Sequence, residues 1–248
     1  EIYNYGQPMD HATALYSLLL PFCFYHFRFQ KKYLFALSFL SILVYLSHPM
    51  FAAILAICLA MLSATITIVM RRKGILILAA TSILMIFFMP QLMTYFLKLD
   101  YFQTLSSIAA SWEERVDIWM KVIELINERP ILGWGLDTSS DIEGIMNTSF
   151  DKVIQVHPHN IPLQIRLETG LPGLLLFCGL IGVIWQYLLK QSDRAFAAAC
   201  VASLSIYLCF AMVSFNAWHS WWLCTQYLAV LTILCFKALA PADRIIDI

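Results

Sequence analysis

Charge is what this sequence has least of. Asp, Glu, Lys and Arg make up 13% of its residues, where a soluble domain carries roughly a quarter. Apolar residues reach 60% and the mean hydropathy is +0.73, more apolar surface than a water-facing fold can hide. Lipid is the solvent this composition requires. A basic excess is missing too: the formal net charge is +0, which argues against nucleic acid as a partner. No cleavable signal, internal repeat or low-complexity tract stands out. The chain opens on Glu1 rather than Met, and it is expected to be the C-terminal part of a longer protein.

Metal and redox motifs are equally scarce. Cys23, Cys58, Cys178, Cys200, Cys209, Cys224 and Cys235 all fall in apolar runs, with no CxxC pair among them. They read as small packing residues, not as disulfides or metal ligands. HExxH and DxD are absent, so no metal and no cofactor is expected.

What is present is a series of apolar stretches. A membrane span needs roughly 20 mostly apolar residues, and seven stretches fit: about 11–27, 33–47, 50–70, 74–97, 171–189, 195–215 and 220–238. The expected fold is all-α, a polytopic membrane protein forming a single membrane domain over 1–248, with one long loop at about 98–167. Basic residues suggest its orientation. Arg28, Lys31 and Lys32 follow the first stretch, Arg71, Arg72 and Lys73 the third, Lys190 and Arg194 the fifth, and Lys237 and Arg244 the seventh. The turns Ser47–Pro49 and Asn216–His219 contain no Lys or Arg. By the positive-inside rule, the C-terminus then faces the cytoplasm and the long loop faces outward, with Trp218, Trp221 and Trp222 as outer aromatic anchors. Seven spans starting outside imply an odd number of earlier ones.

The loop carries its own signals. Ser111-Trp112-Glu113-Glu114 is a capping-box pattern, predicting a helix that runs to about Arg129, before Pro130. At about 100° per residue, Trp112, Val116, Trp119, Ile123 and Ile126 form an apolar stripe opposite Glu113, Glu114, Asp117, Lys121, Glu124 and Glu128. Such a helix rests on the protein or on the membrane surface. Arg115 projects beside the stripe, either snorkelling or presenting its planar fork to an oxyanion. Further on, His157-Pro158-His159-Asn160 offers two imidazoles. They are surface residues or a general base working near neutral pH. A helix continuing from there would place His159 and Arg166 on one face, two turns apart. Arg166 and Glu168 lie either at the interface or in a polar cavity.

The run Arg115-x-x-x-Trp119, then Pro130-Ile131-Leu132-Gly133-Trp134-Gly135, then His157-Pro158-His159-Asn160-x-x-Leu163-Gln164-x-x-x-Glu168-x-Gly170-Leu171-x-Gly173 resembles the O-antigen ligase and O-antigen polymerase superfamily. The likeness is close from about Ser111 to Phe177. It implies a GT-C-like glycosyltransferase of the bacterial inner (cytoplasmic) membrane, working in lipopolysaccharide biosynthesis with its site facing the periplasm. The implied donor is an undecaprenyl-diphosphate-linked glycan. The implied acceptor is lipid A–core for a ligase, or another glycan for a polymerase or a protein O-oligosaccharyltransferase. Membrane lipid is the remaining partner, and no metal is implied.

The residues then take roles. Arg115 stabilises the departing diphosphate, and His159 is the base, with His157 as the alternative. Arg166 binds phosphate or orients the pocket, and Gly133 and Gly135 let the backbone turn closely under the substrate. Trp119, Asn160 and Glu168 complete the candidate substrate-binding set. The family often carries a Ser-Arg pair at the outer start of the span corresponding to 50–70, and here the pair reads Ser47-His48. His48 either replaces that arginine or marks the interface ahead of Pro49, a residue suited to a first helical turn. A transporter of lipid-linked glycans is the rival of another class. The nearly charge-free spans favour surface chemistry over it.

Overall fold

The structure, a computed structural model, describes residues 6–48, 50–99, 110–141 and 157–238, with side chains except at 6–8, 110–114, 140, 141 and 238. Pro49, Arg244 and the side chains of Ser111, Trp112, Glu113 and Glu114 lie outside that description. Among the described residues every regular element is helical: α1 (Gly6–Phe27), α2 (Lys31–Ser47), α3 (Phe51–Met70), α4 (Arg72–Phe87), α5 (Met89–Leu97), α6 (Ala110–Glu128), a 3-10 turn (Thr138–Asp141), α7 (Ile161–Leu189), α8 (Arg194–Val213) and α9 (Ser220–Ala238). Among these, α3, α7 and α8 are long and apolar enough to cross a membrane, and the bent pair α4–α5 makes a fourth if it is one span. The protein is an all-α, multi-pass membrane protein.

Two expectations need correction. The stretch at 74–97 is not one straight helix: α4 and α5 meet at a 72° bend. Pro90 stands in the first turn of α5, where its missing N–H costs nothing, but inside a continuous helix its ring would clash with the carbonyl of residue 86. Phe88 takes φ −93°, ψ 14° and absorbs the bend. The last apolar stretch but two also starts earlier than expected. α7 runs from Ile161 and is interrupted at Gly170.

The chain divides into two compact units, residues 1–79, 184–210 and 219–248, and residues 80–183 and 211–218. In the first, α1 packs against α2, α3 and α9. The contact surfaces use small residues and hydroxyls, the means by which helices associate in lipid. Ala52, Ala53, Ala56, Ala60, Ser63 and Thr67 form the buried stripe of α3. Hydroxyls join neighbouring helices at Tyr16–Ser41 (2.6 Å), Ser17–Tyr45 (2.8 Å) and Ser205–Ser63 (2.9 Å). The cysteines are all free thiols, and Cys200 and Cys209 are buried among apolar neighbours.

The second unit has a core of its own. Val116, Trp119, Ile123 and Ile126 of α6 are buried together with Met89, Met93 and Leu97 of α5 and Leu163 and Leu167 of α7. Asp117, Glu124 and Glu128 are exposed. The amphipathic helix therefore rests on protein. Its stripe is wider than the spacing suggested, because Ile118, Val122 and Leu125 are buried as well.

Candidate active site

The break in α7 organises the site. Interrupting a helix strands its last carbonyls, and here the 130–135 loop supplies their partners. Trp134 N–H donates to Leu167 O (2.9 Å) and Gly135 N–H to Glu168 O (2.8 Å), while Leu171 N–H donates back to Ile131 O (2.9 Å). So close an approach requires glycine on both sides. Gly170 has φ 65°, ψ −153°, and a Cβ there would overlap the Ile131 carbonyl. Gly133 has φ 70°, and its Cβ would lie 2.6 Å from Gly170 N and Leu167 O. The structure thus places Gly133 against the break, not open to a ligand. Gly135 has φ 110° with space around it, so conformation alone favours glycine there. Trp134 closes the loop, its Nε1 donating to Leu125 O (2.8 Å) and its ring lying 4.0 Å from the Arg129 guanidinium.

Behind the break lies a buried polar network. Glu168, 1% exposed, accepts from Ser139 Oγ (2.6 Å), Gln164 Nε2 (3.1 Å), Asp137 N–H (3.1 Å) and Trp218 Nε1. Gln164, fully buried, also donates to Asn216 Oδ1 (3.0 Å) and accepts from Ala217 N–H (2.9 Å). A buried carboxylate is tolerated only when such donors satisfy it. Glu168 therefore ties protein segments together, and its oxygens are occupied by protein donors. The sequence reading missed Ser139, Asn216 and the role of Trp218. The available signal was a four-residue spacing of polar side chains, Asn160, Gln164 and Glu168, in otherwise apolar sequence.

Asn160 is the N-cap of α7, its Oδ1 accepting Leu163 N–H (3.0 Å) and its Nδ2 donating to Met212 O (3.0 Å). The cap corrects the expectation that His159 and Arg166 share a helical face. His159 lies ahead of the helix with φ 51°, a left-handed conformation uncommon outside glycine. Its Nδ1 stands 2.9 Å from Ser214 O. A carbonyl can only accept, so Nδ1 carries a proton, and in the neutral ring the basic lone pair is on Nε2. His157 has the opposite arrangement. Its Nδ1 accepts the His159 N–H (3.2 Å), which spends that lone pair within the turn and leaves the proton of a neutral ring on Nε2. The two rings lie 4.0 Å apart, tilted by 51°.

α6 reaches this turn through Trp119, whose Nε1 donates to Pro158 O at 2.6 Å. Arg115, half-buried, stands one helical turn before Trp119 and so on the same side of α6. Arg166 is half-buried, and its Nη1 is buried with no hydrogen-bond partner. Arg115, Trp119, His157, His159, Asn160, Arg166 and Glu168 all belong to the second unit, with Gly133 and Gly135. His48 belongs to the first, where its Nε2 lies 2.7 Å from Asp10 Oδ1. Among the described residues no cluster of His, Cys, Asp or Glu has a metal-binding arrangement.

Residues 33–178 match the family described as O-antigen ligase. The chain is similar to the "Putative polysaccharide ligase" of Rickettsia conorii, 32% identical over 139 residues, covering 54% of this chain and 33% of that protein. It is also similar to the protein of the same description from Rickettsia prowazekii, 35% identical over 143 residues, covering 54% of this chain and 34% of the relative. The chain thus spans about a third of the length of the curated relatives it matches. No solved structure matches it. The match takes in α6, the glycine loop, the histidine turn and the α7 break, more than half of the chain, and the chain belongs to the O-antigen ligase family.

Proposed function

We propose that this chain is the catalytic membrane portion of a metal-independent glycosyltransferase, an O-antigen ligase. The enzyme moves a glycan from undecaprenyl diphosphate to lipid A–core at the periplasmic face of the inner membrane. Alternating basic junctions support seven spans with the 98–167 segment outside. The observation that carries the mechanism is the paired arrangement of the two histidines. His159 keeps a basic Nε2 while His157 uses its Nδ1 lone pair on the His159 amide, which favours His159 as the base.

In the reaction, His159 Nε2 takes the proton from the acceptor hydroxyl as its oxygen bonds to the anomeric carbon. The bond from that carbon to the diphosphate oxygen breaks, and undecaprenyl diphosphate leaves with the electron pair. Guanidinium groups stabilise the charge that builds on the leaving group. Arg166 is suited to this, because a buried guanidinium N–H without an acceptor is stabilised by an incoming oxyanion. Arg115 is the second cation, on the α6 face that meets the turn. His48 is not assigned to the diphosphate, since the Asp10 carboxylate occupies its Nε2 and would repel an anion.

The test is transfer by the full-length protein in membranes. His159→Ala and Arg115→Ala should each abolish it at normal abundance, and Arg115→Lys should recover little, because a point charge does not reproduce bidentate binding. Near-normal transfer by both alanine variants would refute the mechanism. Glycan analysis of a deletion strain decides the acceptor. Loss of all polymer from lipid A–core marks a ligase, whereas a single retained repeat unit marks a polymerase.

A further inference from the structure

The turn at 212–218 is fastened to the start of α7 by four side chains. Asn160 bonds Met212 O, His159 bonds Ser214 O, Gln164 bonds both Asn216 Oδ1 and Ala217 N–H, and Glu168 bonds Trp218 Nε1. Three of them, Asn160, Gln164 and Glu168, repeat every four residues along one face. His159 alone has chemistry to perform, and its ring orientation depends on where the Ser214 carbonyl points.

We propose that Gln164 is a positioning residue for His159: by clamping Asn216 and Ala217 it aims the Ser214 carbonyl at Nδ1 and so keeps the basic lone pair on Nε2. The proposal rests on the reading of His159 as the base. Gln164 is suited to the task because both ends of its amide are used. Its oxygen must face the Ala217 N–H, and its nitrogen is then turned towards three acceptors, Asn216 Oδ1, Ser139 Oγ and Glu168 Oε1. The amide cannot flip without setting N–H against N–H. An outer partner that orients an imidazole by its second nitrogen is a recurrent arrangement at metal-bound histidines, where the partner's loss costs roughly 10–100-fold, and the same order is expected for a base held in the same way.

A pH readout separates positioning from mere stability. The titratable and charged groups nearest His159 in the fold are His157, its ring tilted 4.0 Å away, Arg115 on the α6 face that meets Pro158, and Arg166 and Glu168 in the first turns of α7. Residues 212–218 carry none. An Nδ1–H bond to a carbonyl favours the protonated imidazole more than the neutral one. Losing it makes His159 harder to protonate, and the acid limb of the rate profile moves to lower pH.

The experiment uses the full-length protein in vesicles, with an undecaprenyl-diphosphate-linked oligosaccharide as donor and lipid A–core as acceptor. Gln164→Leu should lower kcat by roughly 10–100-fold, leave the donor KM unchanged and move the acid limb down. Asn216→Ala, which removes one of the Gln164 bonds, should do the same to a smaller extent, and it decides the matter if Gln164→Leu does not accumulate. A fall in rate with an unmoved acid limb in the variants that accumulate would reduce Gln164 to a stability role and overturn the proposal. Normal kcat in those variants beside an inactive His159→Ala would overturn it alone. An active His159→Ala would overturn the base itself, and the positioning role with it.

Discussion

On the two sides of Gly170, α7 solves opposite problems with one helix. From Ile161 to Gly170 every residue except Arg166 and Thr169 is buried, including Gln164 and Glu168. Beyond the break only a stripe is buried, Leu174, Cys178, Ile181, Trp185 and Leu188, while Leu175, Leu176, Leu180 and Val183 are exposed. The second half is a span apolar on both faces with lipid for solvent, and lipid accepts apolar side chains without regard to detail. The first half has protein for solvent on nearly all sides. Each polar atom there needs a specific partner, and each change of shape is felt by a neighbour. Substitutions should therefore be sharply position-dependent before and at the break and mild after it.

Glycine tests this most strongly. Gly170→Ala forces a side chain into a backbone region that is essentially glycine-only and into the Ile131 carbonyl. We expect loss of folded protein, read as loss of the melting transition in detergent. Gly179 lies nine residues on, and nothing stands within 4 Å of its Cβ position. Gly179→Ala should be neutral or stabilising by about 0.5–1 kcal/mol, the gain in helix propensity. Equal damage at both positions would abolish the distinction between the halves.

Next in size is Glu168→Ala. It leaves the Ser139, Gln164, Asp137 and Trp218 donors without their acceptor, and an unsatisfied buried group costs about 1–3 kcal/mol. A loss on the order of 3 kcal/mol or more is expected in denaturant or thermal unfolding. Leu176→Ala, in the exposed part of the second half, should change stability by less than about 0.5 kcal/mol. A Glu168 variant as stable as the Leu176 variant would show that the network contributes little.

What could be read from the sequence divides along the same line. The ends of α2, α3 and α9 agree with the expected stretches 33–47, 50–70 and 220–238 to within two residues, because apolar runs and basic junctions are local signals. The α6 stripe through Val116, Trp119, Ile123 and Ile126 was legible for the same reason. The bend at Phe88 was not, since Pro90 sits in a run whose hydropathy does not falter. The partners of Asn160, Gln164 and His159 were not either, because they lie 52 to 55 residues away and no periodicity links the two segments. The family resemblance picked out Gln164, Glu168, Gly133 and Gly170 as a pattern, but only geometry separates residues that brace the break from those with chemistry to perform.

The smallest expected effect compares two helix caps. Asn160 caps α7 as a neutral amide in the buried half, where an unpaired charge would be costly. Asp193 caps α8 as a carboxylate at the polar turn before Arg194, its Oδ1 accepting Ala195 N–H (2.9 Å) and Phe196 N–H (3.0 Å). Its Oδ2 accepts from the Tyr25 hydroxyl at 2.7 Å and lies 3.8 Å from Arg28. Burial works to raise this carboxyl, but the Phe196 amide, the Tyr25 hydroxyl, Arg28 and the Ala195 amide together hold it below the ordinary carboxylate range. A carboxyl depressed on folding contributes stability above its unfolded value, about 3.9, and the contribution is lost as pH falls through the folded value. Asp193 is two-fifths exposed, so the contribution is small. Asp193→Asn keeps a capping oxygen and loses the charge together with the Oδ2 acceptor of the exposed Tyr25 hydroxyl bond. It should melt close to the parent at neutral pH and show a shallower fall in melting temperature on acidification. Asn160→Asp should do the reverse, losing the donor to Met212 O and burying a charge. It should melt below the parent at neutral pH and recover part of the difference as acid neutralises the new carboxylate. Parallel acid profiles for the two variants would mean that the two caps stand in equivalent surroundings, and that the contrast between buried and aqueous helix ends is wrong.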